Sequence, residues 1–256
     1  MIKINFLGTC SGTEPVAGRH HCSIVFEIGG LYYWFDAGEN CSHAAYTSGI
    51  DVGRIRAVFI SHMHIDHIGG LANLLFTIRK VSISKKIPHI NGNSYDVFVP
   101  DLEKFGAVKT IASAYRKGSG VDIVDHLVSD GLVFEDENIR VTALHNDHLR
   151  EADTEEWHSY SYLIEAEGKR IVFSGDVHYP HELDPLLEGG CDLLIMETGH
   201  HKVADVCEFA KSRGVKKLVF NHHGREILRS IPDAEKVIED SGVNGSIAND
   251  SDVIEM

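Results

Sequence analysis

Three histidines and one aspartate stand within six positions of this 256-residue chain, in a stretch that begins at His62 and reads His-Met-His-Ile-Asp-His. Imidazole nitrogens and carboxylate oxygens are ligands that zinc, manganese and iron accept in proteins. Because one residue separates His62 from His64, both can reach one ion from a short loop, which leaves Asp66 and His67 for a second ion. A polar loop that caps a helix from Ile68 is the alternative, and the density of the cluster disfavours it. The stretch therefore predicts a metal site.

The elements around this stretch determine how its side chains are presented. The run Ala-Val-Phe-Ile at 57–60 favours a buried strand, so the ligand-type side chains follow the carboxyl end of a strand, where α/β proteins place their chemistry. The same arrangement recurs along the chain. Five more predicted strands are each followed by an aspartate or by histidines. They are 31–35, followed by Asp36; 139–144, followed by His145 and His148; 170–173, followed by Asp176; 191–196, followed by His200 and His201; and 215–220, followed by His222 and His223. At Asp36 we expect a carboxylate that orients a metal ligand.

The remaining pattern is a mixture of strands and helices. Hairpins are predicted at 23–35, 132–144 and 160–173, and helices at 71–79, 101–105, 185–188, 203–213 and 234–240. Loops are predicted at 81–94 and 150–156. This order of elements fits two halves, each a sheet with helices outside, and we expect a single domain of residues 1–256.

The bulk composition excludes several classes of protein. No apolar run approaches the roughly 18 residues of a membrane span, and the N-terminus lacks the apolar core of a signal peptide, so no membrane association and a cytoplasmic location are expected. The five cysteines form no Cys-x-x-Cys pair, which disfavours a disulfide framework or a four-cysteine zinc site and predicts free thiols. The net charge of −14 repels a nucleic acid unless a local basic patch intervenes.

Taken together, these motifs resemble those of the metallo-β-lactamase superfamily. The stretch from His62 matches the HxHxDH signature, and the other junctions match the remaining motifs in order: Asp36, His148, Asp176 within Ser-Gly-Asp, and His222. The resemblance spans essentially the whole chain. It implies an α/β fold of the four-layer αββα sandwich type, whereas composition and periodicity by themselves indicate only mixed α and β structure.

The resemblance also implies a set of ligands for two divalent ions. It implies His62, His64 and His148 for the first ion, Asp66, His67 and His222 for the second, and Asp176 as the bridge between them. His145 is the alternative to His148, and the family spacing counted from Ala143 favours His148. Zn²⁺ is the expected ion, and the same ligands accept Mn²⁺ or Fe²⁺.

The resemblance implies that such a centre performs hydrolysis. Two ions would share a hydroxide that forms near neutral pH, Asp66 would help to orient this nucleophile, and the ions would take up charge on the departing oxygen. Hydrolysis also needs a proton donor for the leaving group. His200 and His178 are the first candidates for this donor. His223 is a further candidate, and His201 is a weaker one. Arg19 could line the substrate pocket and Arg225 could bind a substrate anion, although surface roles are equally expected for both.

Within the superfamily, the closest likeness is to the ribonuclease Z and cyclic phosphodiesterase-like branch. The chain reads Met196-Glu197-Thr198-Gly199 where ribonuclease Z has His-Glu-Ala-Thr, and it has no long glycine- and proline-rich insertion. With the acidic charge, these departures disfavour tRNA processing and make a nucleic-acid substrate doubtful. We therefore expect a phosphodiesterase that acts on a small-molecule or nucleotide-type phosphodiester.

Two alternatives remain open. The same metals could serve a hydrolase of carboxyl esters, lactones or thioesters. A non-catalytic metal-binding module is a further alternative, although the loss of a ligand would be its mark and all seven positions are filled. The sequence leaves the oligomeric state open, with a homo-oligomer among the alternatives.

Overall fold

The structure of the protein is a computed structural model that describes residues 1–13, 15–85, 94–113, 121–150 and 156–256. Its contacts divide the chain into two compact units. Unit 1 comprises residues 1–8, 20–128 and 250–256, and unit 2 comprises residues 9–19 and 129–249. The assignment of residues 1–256 to one domain stays a prediction.

Within the described residues, strands follow one another along the whole chain. They are β1 (Lys3–Gly8), β2 (Ser23–Ile28), β3 (Leu31–Phe35), β4 (Ile55–Phe59), β5 (Ser94–Val99), β6 (Asp122–Leu127), β7 (Gly131–Glu135), β8 (Arg140–His145), β9 (Tyr160–Ala166), β10 (Lys169–Phe173), β11 (Leu193–Glu197), β12 (Leu218–Asn221), β13 (Gly245–Ile247) and β14 (Val253–Glu255).

Helices lie between many of these strands. They are α1 (Cys41–Thr47), α2 (Ile65–Ile68), α3 (Leu71–Lys85), α4 (Leu102–Ser113), α5 (Val203–Ser212), α6 (Arg225–Arg229) and α7 (Ile231–Ser241). Short 3₁₀ turns cover Val52–Arg54, Asp147–Leu149 and Pro180–Leu183. In the described part of the chain, none of the helices combines the length and the apolar character that a bilayer crossing needs.

Each unit contains one seven-stranded mixed sheet. In unit 1 the order is β14-β1-β2-β3-β4-β5-β6, antiparallel from β14 to β3 and parallel from β3 to β6. In unit 2 the order is β13-β12-β11-β10-β9-β8-β7, parallel from β13 to β10 and antiparallel from β10 to β7. Because parallel strands end at the same edge of a sheet, the residues that follow them are brought close together.

The core of unit 1 includes a row of aromatic rings across four strands. The ring of Phe35 meets that of Phe26 at 5.1 Å and stacks on Phe59 at 4.8 Å, and Phe59 stacks on Phe98 at 4.9 Å. Each of these buried rings stabilises the fold by about 2 kcal/mol. Because side chains alternate along a strand, the neighbouring Trp34 contributes instead to the cluster that includes residues of α1, α3 and α4.

The core of unit 2 is organised around β11, whose five residues are all buried. Leu194 and Met196 pack in one cluster with Val206 and Ala210 of α5 and Ile238 of α7. A strand of this kind is covered on both faces, which is why it reads as a continuous apolar run in the sequence.

Most predicted elements are confirmed. The three hairpins form as antiparallel pairs β2–β3, β7–β8 and β9–β10. The helices predicted at 71–79, 101–105, 203–213 and 234–240 are present, and α3 and α4 are longer than predicted. The loop predicted at 81–94 overlaps α3 up to Lys85 and β5 at Ser94, and residues 86–93, like most of the loop at 150–156, lie outside the described residues.

Several features differ from the predictions; helix α6 and strand β13, for example, were not predicted. The prediction of a helix at 185–188 is wrong, because the helical turn in this region covers Pro180–Leu183. Proline is pre-organised for the first position of such a turn, and Glu182 caps it. The edge strand β6 was not predicted, since its polar residues carry little strand signal of their own. Helix α1 was not predicted either. All five cysteines are buried thiols that form no disulfide within the described residues.

Candidate functional site

Unit 1 brings together the four metal-type side chains of the His62 stretch. Strand β4 ends at Phe59, and helix α2 then carries Asp66 and His67 on its single turn. His62 Nε2 lies 3.0 Å from His64 Nδ1, and His67 Nε2 lies 3.5 Å from an Asp66 carboxylate oxygen. His62, Asp66 and His67 are buried, and His64 is exposed. The cluster therefore presents imidazoles and a carboxylate from one short loop.

Asp36 holds this cluster from the end of the neighbouring strand β3. Its Oδ2 lies 2.6 Å from His67 Nδ1 and accepts a hydrogen bond from the Ser61 hydroxyl at 2.7 Å, and its Oδ1 accepts from the Ser61 backbone N–H at 2.7 Å. Asp36 and His67 are fully buried. A carboxylate bound to Nδ1 leaves Nε2 as the nitrogen that can bind a metal. This is the contact that the sequence led us to expect of Asp36.

Small residues allow the loop after β3 to approach the His62 stretch. A side chain on Gly70 would overlap the carbonyl oxygen of Gly38, and one on Gly38 would lie 2.8 Å from the carbonyl oxygen of Asp66. Cys22 also lies here, with its sulfur within 4.8 Å of ligand-type atoms of Asp36 and His67. The sequence did not predict this proximity of a thiol.

Unit 2 brings together a second group around Asp176, which is 2% exposed. The carboxylate of Asp176 lies 3.3 Å from His222 Nδ1, 3.7 Å from His148 Nε2 and 3.9 Å from His200 Nδ1. These separations exceed those of ordinary hydrogen bonds. Two ligands at 2.0–2.1 Å from a tetrahedral ion are about 3.3 Å apart, so the spacing and the donor types of this group fit a bound divalent ion.

The local backbone explains how these side chains reach one another. Strands β8, β10, β11 and β12 run in the same direction, so His148, Asp176, His200 and His222 all follow the same edge of the sheet. His222 has a left-handed backbone conformation with φ 48°. A side chain on Gly199 would lie 2.9 Å from the His222 ring, so glycine leaves the space that this ring occupies.

The structure places His145 and His148 in different surroundings. His145 ends strand β8, its Nδ1 lies 2.6 Å from Asp130, and its ring stacks on that of Trp157 at 3.7 Å. His148 lies in the following 3₁₀ turn and faces Asp176. The geometry therefore favours His148 over His145 as a ligand.

Glu197, the last residue of β11, is a buried acid that the sequence analysis did not select as a functional residue. It is 1% exposed, and it accepts a hydrogen bond from the backbone N–H of His200 at 3.0 Å and lies 2.9 Å from His200 Nδ1. Burial raises the pKa of Glu197, but the hydrogen bonds from His200 and His222 outweigh it and hold this pKa well below its usual range. The sequence signal that could have identified Glu197 is an acidic residue at the end of an otherwise apolar strand.

The same contact acts on His200. The hydrogen bond to the Glu197 carboxylate raises the pKa of His200 above its ordinary value, against the opposing effect of burial. The His200 side chain is 44% exposed, so its ring is accessible as well as anchored. A raised pKa keeps an imidazole protonated to a higher pH than usual, and a protonated imidazole can donate its proton to a leaving group.

The other candidate residues have different environments. His223 is fully buried, its Nε2 lies 2.7 Å from the carbonyl oxygen of Ala248, and burial lowers the pKa of His223 to about 3. His223 is therefore neutral near pH 7 and does not fit a proton donor. His178 is exposed, and its ring meets the edge of Tyr179 at 4.4 Å. The Nε2 of His201 lies 3.0 Å from the carbonyl oxygen of Val177.

The two arginines also differ from each other. Arg19 donates hydrogen bonds to Thr9 Oγ1 at 2.6 Å, to the carbonyl oxygen of Ala248 at 3.1 Å and to Asn249 at 2.8 Å. It therefore anchors two segments of unit 2. Arg225 is exposed at the first position of α6.

Comparison with protein families identifies one model that covers most of the chain. The model described as "Anti-Pycsar protein Apyc1" matches residues 2–207. This segment contains six of the seven predicted ligand positions, and His222 lies beyond it.

Comparison with individual proteins shows similarity to ribonuclease Z. The chain is 27% identical to the ribonuclease Z of Thermococcus kodakarensis, over 99% of this chain and 95% of that protein. It is 30% identical to the ribonuclease Z of Prochlorococcus marinus over 146 residues, which are 55% of this chain and 44% of that protein. In the second match the chain spans less than half the length of its relative.

Solved structures show the fold. The metallo-β-lactamase fold protein YhfI from Bacillus subtilis matches with a TM-score of 0.76 at 19% identity over all of both chains. Human tRNase Z, short form, matches at 0.71 and 22% identity over 99% of this chain and 98% of that one. Zn²⁺-bound PqqB from Methylobacterium extorquens matches at 0.68 and 14% identity over 99% and 100%. The predicted metallo-β-lactamase fold and the ribonuclease Z-like branch are confirmed.

Proposed function

The chain belongs to the family of the Anti-Pycsar protein Apyc1, and from this premise we propose that it is a phosphodiesterase that uses two divalent metal ions to hydrolyse a small cyclic or nucleotide-type phosphodiester. The coarser statement rests on its relatives: the chain is a metal-dependent hydrolase of the metallo-β-lactamase superfamily and of the phosphodiesterase-like type. The substrate class, the number of ions and their identity as Zn²⁺ are the parts that we propose.

One observation carries this proposal. The buried Asp176 carboxylate lies within 3.9 Å of the imidazoles of His148, His200 and His222, and His200 is itself paired with the buried Glu197. A group of possible metal ligands thus adjoins an imidazole whose pKa is raised by a neighbouring carboxylate. Cleavage of a phosphodiester produces an alkoxide, which needs such a proton at neutral pH.

We propose that the ligands are those that the family resemblance implies. They are His62, His64 and His148 for one ion, Asp66, His67 and His222 for the other, and Asp176 for both. When bound, the ions would polarise the phosphoryl oxygens and activate water for attack. Asp36 orients His67 for this purpose, and Asp66 orients the attacking water.

His200 would then act on the leaving group. Its Nδ1 donates a hydrogen bond to Glu197, so Nε2 is the ring atom from which a proton can pass to the departing oxygen. The Glu197 carboxylate holds the ring in place and favours its protonated form. His178 is the alternative donor, two residues beyond Asp176.

Electrostatics supports a small substrate rather than a nucleic acid. The net charge is −14, and two cations of the basic stretch at 211–217, Arg213 and Lys216, are held in ion pairs with carboxylates. Arg213 binds Asp184 through two hydrogen bonds of 2.8 and 2.9 Å, and Lys216 binds Asp192 at 2.9 Å. Five buried cysteines without a disulfide among the described residues are typical of a reducing compartment, in line with the proposed cytoplasmic location.

The experiment is a turnover panel with the zinc-reconstituted protein. It compares 3′,5′- and 2′,3′-cyclic mononucleotides, a chromogenic phosphodiester, a lactone, a thioester and a precursor tRNA, with Asp176→Ala purified in parallel as the control for contaminating enzymes. We expect hydrolysis of cyclic nucleotides that a chelator abolishes. Activity confined to the carboxyl substrates would establish the ester or lactone hydrolase instead. Metal binding without turnover of any substrate would favour a non-catalytic module.

A further inference from the structure

Glu182 connects two loops of unit 2 that carry different predicted ligands. It lies in the 3₁₀ turn Pro180–Leu183, and one carboxylate oxygen, Oε1, accepts a hydrogen bond from the backbone N–H of Asp147 at 3.2 Å. The other oxygen, Oε2, accepts from the backbone N–H groups of His178 at 2.9 Å and Tyr179 at 3.2 Å. One side chain therefore binds the main chain of both loops.

Each of these loops holds a predicted metal ligand next to the contact. Asp147 immediately precedes His148, and His178 and Tyr179 follow Asp176 by two and three residues. The side chains of His148 and Asp176 are 3.7 Å apart. In the sheet, strand β9 lies between β8 and β10, from which the two loops emerge. The backbone hydrogen bonds of the sheet therefore connect β8 and β10 to β9, and they do not connect the two loops to each other.

A second hydrogen-bonded path also links these two loops. Asn146 accepts a hydrogen bond from the backbone N–H of His148 at 3.1 Å and donates to the Ser161 hydroxyl at 3.1 Å. Ser161 of β9 in turn donates to the carbonyl oxygen of Ser174 at 2.6 Å. This path anchors the loops through the strand between them, and Glu182 joins them directly.

We propose that Glu182 is a positioning residue that sets the separation of His148 and Asp176. The inference rests on the proposed ligand assignment. A metal site demands ligand positions within about 0.5 Å of their ideal places, and groups outside the ligand set that orient ligands are worth about 10- to 100-fold in metal affinity. A carboxylate that bonds to the main chain beside two ligands meets this need.

An ordinary cap explains only part of the geometry. A glutamate at the third position of a helical turn commonly reaches back to the N–H of the capping residue, here Tyr179. The bond to Asp147 lies outside that turn. Glutamine has a single acceptor oxygen, so Glu182→Gln keeps the size of the side chain but leaves one of the two loops without its acceptor.

The chain offers a matched control for this substitution. Oδ1 of Asp136 accepts backbone hydrogen bonds from Asn138 at 2.9 Å and Ile139 at 3.0 Å, in the turn between β7 and β8 and away from the predicted ligands in the sequence. Asp136→Asn therefore replaces a turn-capping carboxylate in the same unit by an amide. It measures the effect that a purely structural role would produce.

A second pair of variants leaves Glu182 itself unchanged. Asp147→Pro removes the N–H that donates to Oε1, at the first position of a 3₁₀ turn where proline is tolerated and after an extended Asn146. Asp147→Ala removes the same side chain but keeps the N–H. The difference between these two variants isolates the contact between the loops.

The experiment measures zinc affinity by competition with a chromophoric chelator, together with the absorption spectrum of the cobalt form and the urea midpoint of the zinc-free protein. We expect about 10-fold weaker zinc binding and an altered cobalt spectrum for Glu182→Gln and Asp147→Pro. Asp136→Asn and Asp147→Ala should match the unsubstituted protein in both properties, even where their urea midpoints fall.

Unchanged zinc affinity and cobalt spectrum in Glu182→Gln and Asp147→Pro would overturn the proposal, and so would an equal loss in Asp136→Asn and Asp147→Ala. Failure of the ligand assignment gives a different result, because Asp176→Ala would then retain both equivalents of zinc. The two hypotheses are thus tested by separate measurements.

Discussion

The two units supply metal-type side chains in contrasting ways. In unit 1, His62, His64, Asp66 and His67 come from one stretch of six positions after β4. In unit 2, Asp176 and the three imidazoles around it come from the ends of four strands, and His148 and His222 are 74 positions apart in the sequence. A strand end and one helical turn suffice to form the first group. The second group depends on the order and direction of the strands in its sheet.

Both units nevertheless place a buried acid beside an imidazole. Asp36 follows β3 and binds His67 from the strand adjacent to β4. Glu197 ends β11 and binds His200 in the loop that follows. In each case the acid is at the end of a strand in the parallel part of the sheet and is almost inaccessible to water. The difference is the function of the imidazole, a predicted ligand in unit 1 and a predicted proton donor in unit 2.

The largest effect should come from the centre of the unit 2 group. Asp176→Ala removes the carboxylate that lies near three imidazoles, so we expect one equivalent of metal to be lost and hydrolysis to fall by more than about 1,000-fold. Elemental analysis and turnover of the purified variant measure both. Two retained equivalents of metal would contradict the assignment of Asp176 as the bridge.

A smaller effect should follow from removing the proton donor. His200→Gln should lower the rate of hydrolysis of a cyclic nucleotide by about 100-fold. The rate with a p-nitrophenyl phosphodiester should change little, because its leaving group needs no proton. His178→Gln is the control, and a larger loss in that variant would identify His178 as the donor instead.

Because Glu197 raises the pKa of His200, activity should fall as the pH rises through that raised pKa. Glu197→Gln should move this decline to lower pH.

The buried acid of unit 1 should have a more modest influence. Asp36→Asn keeps the shape of the side chain but weakens its hydrogen bonds to His67 and Ser61, so we expect metal affinity to fall by about 10-fold. Chelator competition measures this loss. An unchanged affinity would show that the His62 stretch positions its imidazoles without Asp36, and would make the contrast between the units sharper still.

The smallest effect concerns stability in acid. The unfolded chain protonates His223 near pH 6.5, whereas burial lowers the folded pKa to about 3. Between these values the unfolded state binds more protons, so stability falls as the pH is lowered through this window, by about 1 kcal/mol per pH unit. His223→Gln should reduce this slope in urea titrations of the metal-free protein. The same slope in both proteins would assign the acid sensitivity to other groups.

The sequence determined the part of the protein that depends on local order. The run at 57–60 followed by the His62 stretch predicts a strand that ends in ligand-type residues, and unit 1 contains that arrangement. The hairpins were predictable for the same reason, since alternation and turn residues are local properties. The motif spacing was also sufficient to indicate the metallo-β-lactamase fold and its ribonuclease Z-like branch, which the comparisons confirm.

Only the tertiary structure shows the environments of groups that the sequence left as alternatives. His145 and His148 are equivalent as imidazoles, but one binds Asp130 and the other faces Asp176. His200 and His223 both follow strands, yet the carboxylate of Glu197 raises the pKa of the first and burial lowers that of the second. Glu182 carried no motif signal at all. In each case the environment is made by residues distant in sequence, and it is burial and the neighbouring charges that fix the chemistry of a side chain.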